Sequence, residues 1–115
     1  MELKRVVVTG LGAVTPLGNT IPEFWNSIIN GKSGASLITR FDTTNFKTKF
    51  ACQVKDFDPN QHFDRKEARK MDIYAQLAMV SAKEAIEHSG LDLETVDKDE
   101  VEVIFSAGIG GITTF

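Results

Sequence analysis

The most restrictive feature of this sequence is a run of apolar, β-branched residues that ends directly in glycines. Residues 5–9 read RVVVT, without the alternation of polar and apolar side chains typical of a half-exposed strand, and Gly10 and Gly12 follow at once. A continuous apolar strand of this kind is usually covered on both faces, as in the sheet of an α/β fold. The run therefore predicts a buried strand at residues 5–9 in an α/β structure.

A first helix is predicted soon after this glycine-rich opening. Thr20 can cap a helix N-terminus, and Glu23 can reach back to the Thr20 amide, an arrangement known as a capping box. Pro22 suits the first helical turn, and Gly31 after Asn30 marks the end. The pattern thus predicts one short helix between Thr20 and Gly31.

Two further strands are predicted downstream. Residues 49–54 alternate in polarity, with Phe50 and Cys52 on the apolar side, which indicates a half-buried strand. Residues 101–107 form a second apolar run, which ends in the glycine-rich turn 108–111. Neither a glycine nor a helix start follows Cys52 to activate its thiol, so we expect Cys52 to be a small core residue rather than a nucleophile.

Between these strands the sequence predicts a long helix, which starts after Asp64 and runs to about Ser89, with Gly90 ending it. Alanines recur on its inner face, which indicates that its backbone comes close to its neighbours. That face is predicted to comprise Met71, Tyr74, Ala75, Ala78, Ala82, Ala85 and Ile86. No neighbour in the sequence would make His62 or His88 a general base, so we expect both to have structural or solvent-facing roles.

Composition excludes several classes of function. The formal net charge is −3, and no basic run with interleaved aromatic residues occurs, so neither nucleic acid nor a membrane is expected as the main partner. Glycines and a proline interrupt the apolar opening, which is unlike a signal peptide. The single cysteine excludes an internal disulfide and a cysteine-rich metal site. We expect a reduced, cytoplasmic protein with no metal and no cofactor.

The glycine-rich opening also raises a nucleotide-binding alternative, in which an oxidoreductase would hold pyrophosphate at a helix N-terminus. The spacing is unsuitable, because the third glycine of that pattern would stand at Thr15, and Pro16 lies where the helix should already run. No strand ending in Asp or Glu follows about 20 residues later. The glycine spacing therefore disfavours a nucleotide-binding oxidoreductase, and a titration with a nucleotide cofactor would test this alternative.

Three basic residues stand together near the start of the predicted long helix. Lys66, Arg69 and Lys70 have the spacing i, i+3, i+4, which places them on one helical face. Cations in the first turns oppose the helix dipole, which hints at a role other than stability. The alternative is a solvated surface balanced by the carboxylates of Asp64, Glu67 and Asp72. From the residues alone, both interpretations remain open.

Four sequence blocks carry a resemblance to a known family. They are residues 5–19 (RVVVTGLGAVTPLGN), 38–42 (ITRFD), 65–72 (RKEARKMD) and 106–111 (SAGIGG). In order and spacing they resemble the type II β-ketoacyl-acyl carrier protein synthases, condensing enzymes that elongate acyl chains. The resemblance implies a thiolase-like fold, a layered α/β/α/β/α arrangement, with residues 1–115 as the N-terminal part of the ketosynthase N-terminal domain and the remainder of the enzyme absent.

The resemblance also implies a reaction, the decarboxylative Claisen condensation of malonyl-acyl carrier protein with an enzyme-bound acyl thioester. In the family, a cysteine at the N-terminus of a buried helix takes the acyl group, and two histidines assist decarboxylation. All three lie beyond residue 115, so we expect no catalytic residue here and no activity of this chain alone. The implied partners are acyl- and malonyl-loaded acyl carrier protein, received by Lys66, Arg69 and Lys70, and a second copy of the full-length enzyme in a homodimer.

A second set of site residues follows from the same resemblance. In similar enzymes the residue at the position of Ile109, between Gly108 and Gly110, lines the acyl pocket and helps to set the length of the acyl chain. The resemblance therefore assigns Gly108, Ile109 and Gly110 to the acyl pocket. Two relatives with the same opening blocks remain as alternatives: a chain-length-factor-like partner, which keeps the fold and lacks the cysteine, and a polyketide ketosynthase.

Overall fold

The computed structural model describes residues 3–111, in which helices predominate over strands. Its elements, in chain order, are α1 (Ile21–Ile29), β1 (Ala35–Leu37), β2 (Phe50–Cys52), α2 (Arg65–Ala68) and α3 (Ile73–Ser89), with 3-10 turns at Pro59–Gln61 and Lys98–Glu100. None of the helices in this range is long and apolar enough to cross a membrane. Residues 1–2 and 112–115, the two edges of the predicted domain span, lie outside the described residues.

The predicted limits of the first helix are confirmed. Thr20 is the N-cap of α1, and its hydroxyl oxygen accepts a hydrogen bond from the Glu23 amide at 3.4 Å. The Glu23 carboxylate accepts a hydrogen bond from the Asn19 amide at 2.8 Å, rather than from the expected Thr20 amide. Asn30 ends the helix, and Gly31 follows with a left-handed φ of 62°.

The predicted strand near residue 50 is present, but its orientation is not the expected one. It pairs with β1 in an antiparallel register that sets Ala35 opposite Cys52 and Leu37 opposite Phe50. Phe50 is 62% exposed and Cys52 is exposed, whereas Ala51 between them is half-buried. Cys52 is therefore not a core residue within residues 3–111, because the face of the two-stranded ribbon that carries it is exposed there.

The predicted long helix is wrong as a single element, since two helices occupy its span. α2 ends at Ala68, and α3 begins at Ile73 after Asp72, whose backbone is extended. The Asp72 carboxylate accepts a hydrogen bond from the Tyr74 amide at 3.1 Å, so this aspartate is the N-cap of a new helix. The predicted end is confirmed, with Gly90 in the left-handed region at a φ of 67°.

The glycine-rich opening packs against the backbone of α3. A Cβ atom at Gly12 would lie 1.9 Å from the Ser81 carbonyl oxygen, and one at Gly10 would lie 2.1 Å from the Ala85 carbonyl oxygen. Neither position has room for a side chain, since such distances are far below van der Waals contact. The close backbone approach predicted for this helix is confirmed at Ala85, and it gives the two glycines a packing role. The other predicted alanines, Ala75, Ala78 and Ala82, line an apolar cavity instead.

The strands predicted at residues 5–9 and 101–107 do not form as hydrogen-bonded strands in the described residues. Val6 in the first run is 89% exposed, and Ile104 in the second is 85% exposed. A strand needs a neighbouring strand to receive its backbone hydrogen bonds, and neither run has one within residues 3–111.

The exposure of these runs is part of a wider lack of burial. Within the described part of the chain, only Ser27 and Gln76 are buried, and no apolar side chain is. The radius of gyration is 17.4 Å, whereas a compact domain of this length would have about 13 Å. The accessible surface is 9644 Å², against roughly 6,200 Å² for a folded monomer of this mass. The apolar faces of the described elements are therefore largely uncovered.

Candidate functional site

The basic segment, defined as Lys66, Arg69 and Lys70, lies at the junction of α2 and α3. Lys66 belongs to α2, Arg69 is its C-cap, and Lys70 stands in the following turn, where its amide donates to the Glu67 carbonyl at 2.9 Å. All three side chains are exposed. Because α2 has only four residues, the expectation that these cations oppose the dipole of a long helix is wrong. They cluster on a tight turn instead.

Among residues 3–111, no carboxylate forms an ion pair within 4 Å with the cations of the basic segment. Asp64 uses its carboxylate to accept from the Lys66 backbone amide at 3.2 Å, as the N-cap of α2. Across residues 3–111, the ion pair found within 4 Å joins Lys83 to Glu87 at 3.9 Å on α3. The basic segment therefore presents positive charge to solvent, and the charge balance considered from the sequence does not form as ion pairs.

Behind the basic segment lies Gln76, a residue that sequence reasoning missed. Its side chain is only 6% exposed, and its Nε2 atom donates to the Ala68 carbonyl at 2.8 Å and to the Met71 carbonyl at 3.1 Å. These bonds tie the first turn of α3 to the end of α2. No signal in the sequence pointed to Gln76, because glutamine on a helix is most often exposed.

The residues assigned to the acyl pocket form the last turn of the described chain. Ile109 is 82% exposed, and a Cβ atom at Gly110 would lie 2.8 Å from Cε1 of Tyr74. Gly110 thus rests against the tyrosine ring, whereas Gly108 has open space around it. Beside the ring, an apolar cavity of about 200 Å³ lies between α3 and the segment that carries Phe105. Ile109 does not line this cavity among the described residues.

Of the remaining side chains considered for catalysis, the two histidines have structural contacts. The His62 ring stacks on Phe57, with centroids 5.5 Å apart and ring planes 10° from parallel. His88 accepts a hydrogen bond at Nδ1 from the Leu11 amide at 3.0 Å, which fixes the opening segment to α3. Cys52, in contrast, lies exposed at the end of β2.

Glu84 on α3 is a second residue that sequence reasoning missed. One carboxylate oxygen accepts from the Ala13 amide at 2.9 Å, and the other accepts from the Ile21 amide at 2.8 Å. Ile21 is the first residue of α1, so Glu84 joins the opening segment, α1 and α3 at one point. The sequence holds no local signal for this role, because both partners are more than sixty residues away.

Comparison with known proteins places this arrangement in a family. A family model described as the β-ketoacyl synthase N-terminal domain matches residues 3–114. The chain belongs to the β-ketoacyl synthase family. Among its curated relatives, a 3-oxoacyl-[acyl-carrier-protein] synthase 2 of Coxiella burnetii is 47% identical over 112 residues, which cover 97% of this chain and 27% of the relative. The protein of the same name from Synechocystis is 44% identical, with the same coverage. This β-ketoacyl synthase chain thus spans about a quarter of the length of these relatives.

Solved structures agree with the family assignment. A structure described as the ishigamide ketosynthase/chain length factor has a TM-score of 0.66 and 34% identity, and the match covers 76% of this chain and 22% of that one. A type II polyketide acyl carrier protein in complex with its ketosynthase bound to a hexaketide has a TM-score of 0.59 and 25% identity, with 79% and 23% covered. The predicted thiolase-like α/β fold, incomplete within this chain, is confirmed.

Proposed function

We propose that this chain is the N-terminal part of the ketosynthase N-terminal domain in a longer condensing acyltransferase of fatty-acid elongation. The observation that carries the proposal is the family match over residues 3–114, together with 47% identity to a 3-oxoacyl-[acyl-carrier-protein] synthase 2. The uncovered apolar runs at residues 5–9 and 101–107 support it, because buried strands of a larger sheet would have this composition.

In the proposed reaction an enzyme thiol first takes an acyl group from its carrier thioester and releases the carrier thiol. Malonyl-acyl carrier protein then loses CO₂, and the resulting carbanion attacks the enzyme-bound thioester carbonyl. The enzyme thiol leaves, and the carrier holds a β-ketoacyl chain two carbons longer. Preorganised donors that stabilise the enolate oxygen supply much of the rate enhancement in reactions of this type.

The test compares the full-length enzyme with the 115-residue chain. Each is incubated with acyl- and malonyl-acyl carrier protein, and the β-ketoacyl product is measured by mass spectrometry. We expect product from the full-length enzyme and none from the chain alone, since neither Cys52 nor the two histidines lies in a setting that activates it. Product formation by the isolated chain would contradict the proposal that the catalytic residues lie elsewhere.

We propose that the basic segment receives the acidic acyl carrier protein. Its three cations are exposed and unpaired with carboxylates across residues 3–111, and a carrier protein is present in the complex of a structurally similar ketosynthase. Complementary charge accelerates encounter and selects partners, with a strong dependence on ionic strength. The surface is thus suited to a negatively charged protein partner.

Charge reversal tests this docking role. Lys66→Glu combined with Lys70→Glu in the full-length enzyme should raise the KM for carrier-bound substrate by about tenfold or more at low salt, and the difference should shrink as salt rises. Lys98→Glu reverses one charge in an exposed 3-10 turn and is the control for Lys66→Glu alone. Equal effects of the basic-segment and control substitutions, or none from either, would exclude specific docking at the basic segment.

We propose that Gly108, Ile109 and Gly110 form part of the acyl pocket, with Ile109 limiting chain length. Support comes from the contact of Gly110 with the Tyr74 ring beside an apolar cavity. Each methylene that a pocket buries contributes about 0.8 kcal/mol to binding, so a larger side chain that excludes several methylenes should reject long chains. Ile109→Phe should lower kcat/KM for long acyl chains and preserve it for short ones. A uniform loss for all chain lengths would contradict the pocket assignment.

A polyketide ketosynthase, or a chain-length-factor-like partner that lacks the cysteine, is the second candidate. The two solved structures described above favour it, since their descriptions name a chain length factor and a type II polyketide system. The identities of 34% and 25% to these structures lie below the 47% to the fatty-acid relative. The products of the full-length protein distinguish the candidates. One elongation per cycle indicates fatty-acid synthesis, and repeated condensations without reduction indicate polyketide synthesis. No condensation unless a second subunit is added indicates a chain-length-factor-like partner.

We further propose that the full-length enzyme is a cytoplasmic homodimer, as the family resemblance implies. The large uncovered apolar surface of the described residues supports burial against further protein. Sedimentation equilibrium of the full-length enzyme should give twice the mass of one chain, and cell fractionation should recover it with soluble proteins. A monomer, or recovery with membranes, would contradict this proposal.

A further inference from the structure

Gln76 is one of two buried polar residues in the described part of the chain, and the docking proposal does not yet use it. It lies in the first turn of α3, with only 6% of its surface exposed. Its amide nitrogen donates to the Ala68 carbonyl at 2.8 Å and to the Met71 carbonyl at 3.1 Å. One side chain therefore holds two backbone groups that lie five and eight residues before it in the sequence.

The two carbonyls that Gln76 binds lie directly before and directly after Arg69 and Lys70 of the basic segment. Ala68 is the last residue of α2, Met71 follows the turn, and the residues between them are Arg69 and Lys70. The backbone of this turn is otherwise held by local bonds, of which the one from the Met71 amide to the Ala68 carbonyl is long, at 3.4 Å. Gln76 thus supplies the contact that fixes both ends of the turn to α3.

The chemistry of the contacts requires the amide group. Both partners are carbonyl oxygens, so only a donor can occupy the Nε2 position, and the amide orientation follows from the partners. The other amide atom, Oε1, is buried and has no hydrogen-bond partner among the described residues. Both hydrogen bonds of the Gln76 side chain are therefore donated by Nε2 to the backbone of the turn. What Gln76 offers is a fixed geometry for the turn.

We propose that Gln76 is a positioning residue, which holds Arg69 and Lys70 in the arrangement that an acidic protein partner binds. This inference rests on the proposed docking role of the basic segment and names the residue behind that surface. A side chain or turn that must be ordered on binding lowers affinity, and a turn ordered beforehand avoids that loss. Gln76 does not touch the partner and acts through the turn.

The consequence is a selective loss of affinity for carrier-bound substrate. Gln76→Met keeps the side-chain length and removes both donors, so Arg69 and Lys70 lose their anchored backbone. We expect the KM for acyl- and malonyl-acyl carrier protein to rise about fivefold, since each ordered side chain is worth a factor of a few in affinity. Kinetics with the corresponding coenzyme A thioesters should not change, because these lack the carrier protein.

The experiment measures KM and kcat of the full-length enzyme with both substrate types. Gln61→Met, an exposed glutamine in the preceding 3-10 turn, is the matched control. Gln76→Leu is a second variant, with an apolar side chain of similar size that also lacks a donor for the two carbonyls. It should reproduce the carrier-specific rise in KM if Gln76→Met yields too little folded enzyme. Gln61→Met should match the unmodified enzyme with both substrates.

The outcomes separate the inference from the docking proposal. If charge reversal at Lys66 and Lys70 leaves the carrier KM unchanged, docking at the basic segment is excluded and the role of Gln76 with it. If charge reversal raises the KM and both Gln76 variants do not, only the positioning role is overturned. A loss of kcat with coenzyme A thioesters equal to that with carrier substrates would show a general structural role and would also overturn it.

Discussion

The close contact between the glycine-rich opening and α3 allows a quantitative prediction for Gly12→Ala. The new Cβ atom would lie 1.9 Å from the Ser81 carbonyl oxygen and 2.7 Å from the Ala85 amide nitrogen, and all of its nearest neighbours are backbone atoms. Ordinary contact begins near 3.4 Å, so the opening and α3 must separate by about 1.5 Å. No change of rotamer can relieve the clash.

The same separation would break a second interaction. The Ala13 amide donates to Glu84 at 2.9 Å, and a displacement of about 1.5 Å would carry it beyond hydrogen-bond reach. Overpacking alone costs about 1–3 kcal/mol, and a lost bond to a charged acceptor adds about 1.5–3 kcal/mol. We therefore expect Gly12→Ala to lower the free energy of unfolding of the full-length enzyme by about 3 kcal/mol or more.

Thermal and urea unfolding of the full-length enzyme measure this effect, with Gly31→Ala as the control. Gly31 also has a demanding backbone, with a φ of 62°, but nothing lies within 4 Å of its added Cβ atom, so its substitution should cost only about 1 kcal/mol. Equal losses at the two glycines would refute the close approach. Restoration of the Gly12→Ala enzyme by Ser81→Ala would also refute it, because the clash would then involve a side chain.

Three further predictions concern residues on other parts of the chain. Glu84→Ala should destabilise the full-length enzyme by about 2 kcal/mol in urea unfolding, because two backbone amides lose a charged acceptor. Glu84→Gln keeps one acceptor oxygen and should cost less. An unchanged unfolding midpoint for both variants would contradict the role of Glu84 in joining the opening segment to α1 and α3. Cys52→Ser should leave condensation activity intact, and its loss would make Cys52 a candidate nucleophile after all. Hydrogen bonds from the Asn60 backbone amide and then its side chain hold the pKa of Asp58 below the usual value of an aspartate. The 3-10 turn should therefore be stabilised above that usual value and lose this contribution as the pH falls through the lowered pKa. A carboxyl titration by NMR that finds the pKa of Asp58 no lower than that of an aspartate in the unfolded chain would contradict these bonds.

The break between α2 and α3 changes the physical account of the basic segment. On one long helix, Lys66, Arg69 and Lys70 would share a face and oppose the helix dipole. On a four-residue helix followed by a turn, their display depends on what holds the turn, and that contact comes from Gln76. The signal for the break was present at Asp72, since an aspartate before an apolar run is a common N-cap. The continuous polar and charged pattern from residue 64 onward concealed it.

The sequence determined the features that depend on nearest neighbours along the chain. The caps at Thr20 and Gly90 were predicted because their hydrogen bonds and backbone conformations involve residues a few positions away. The four ordered blocks determined the family, since each block keeps its own residues and spacing. The proximity of α3 to other backbone was also predicted, because alanine leaves little volume between two chains.

Only the tertiary structure decided which distant groups meet. Glu84 bridges amides sixty-three and seventy-one residues away, and no local pattern encodes such a choice. The runs at residues 5–9 and 101–107 have the composition of buried strands, but a strand forms only when a neighbouring strand receives its hydrogen bonds. Composition therefore determined what these runs can become, and the presence or absence of a neighbouring strand decided what they are, because sheet formation is a property of paired chains.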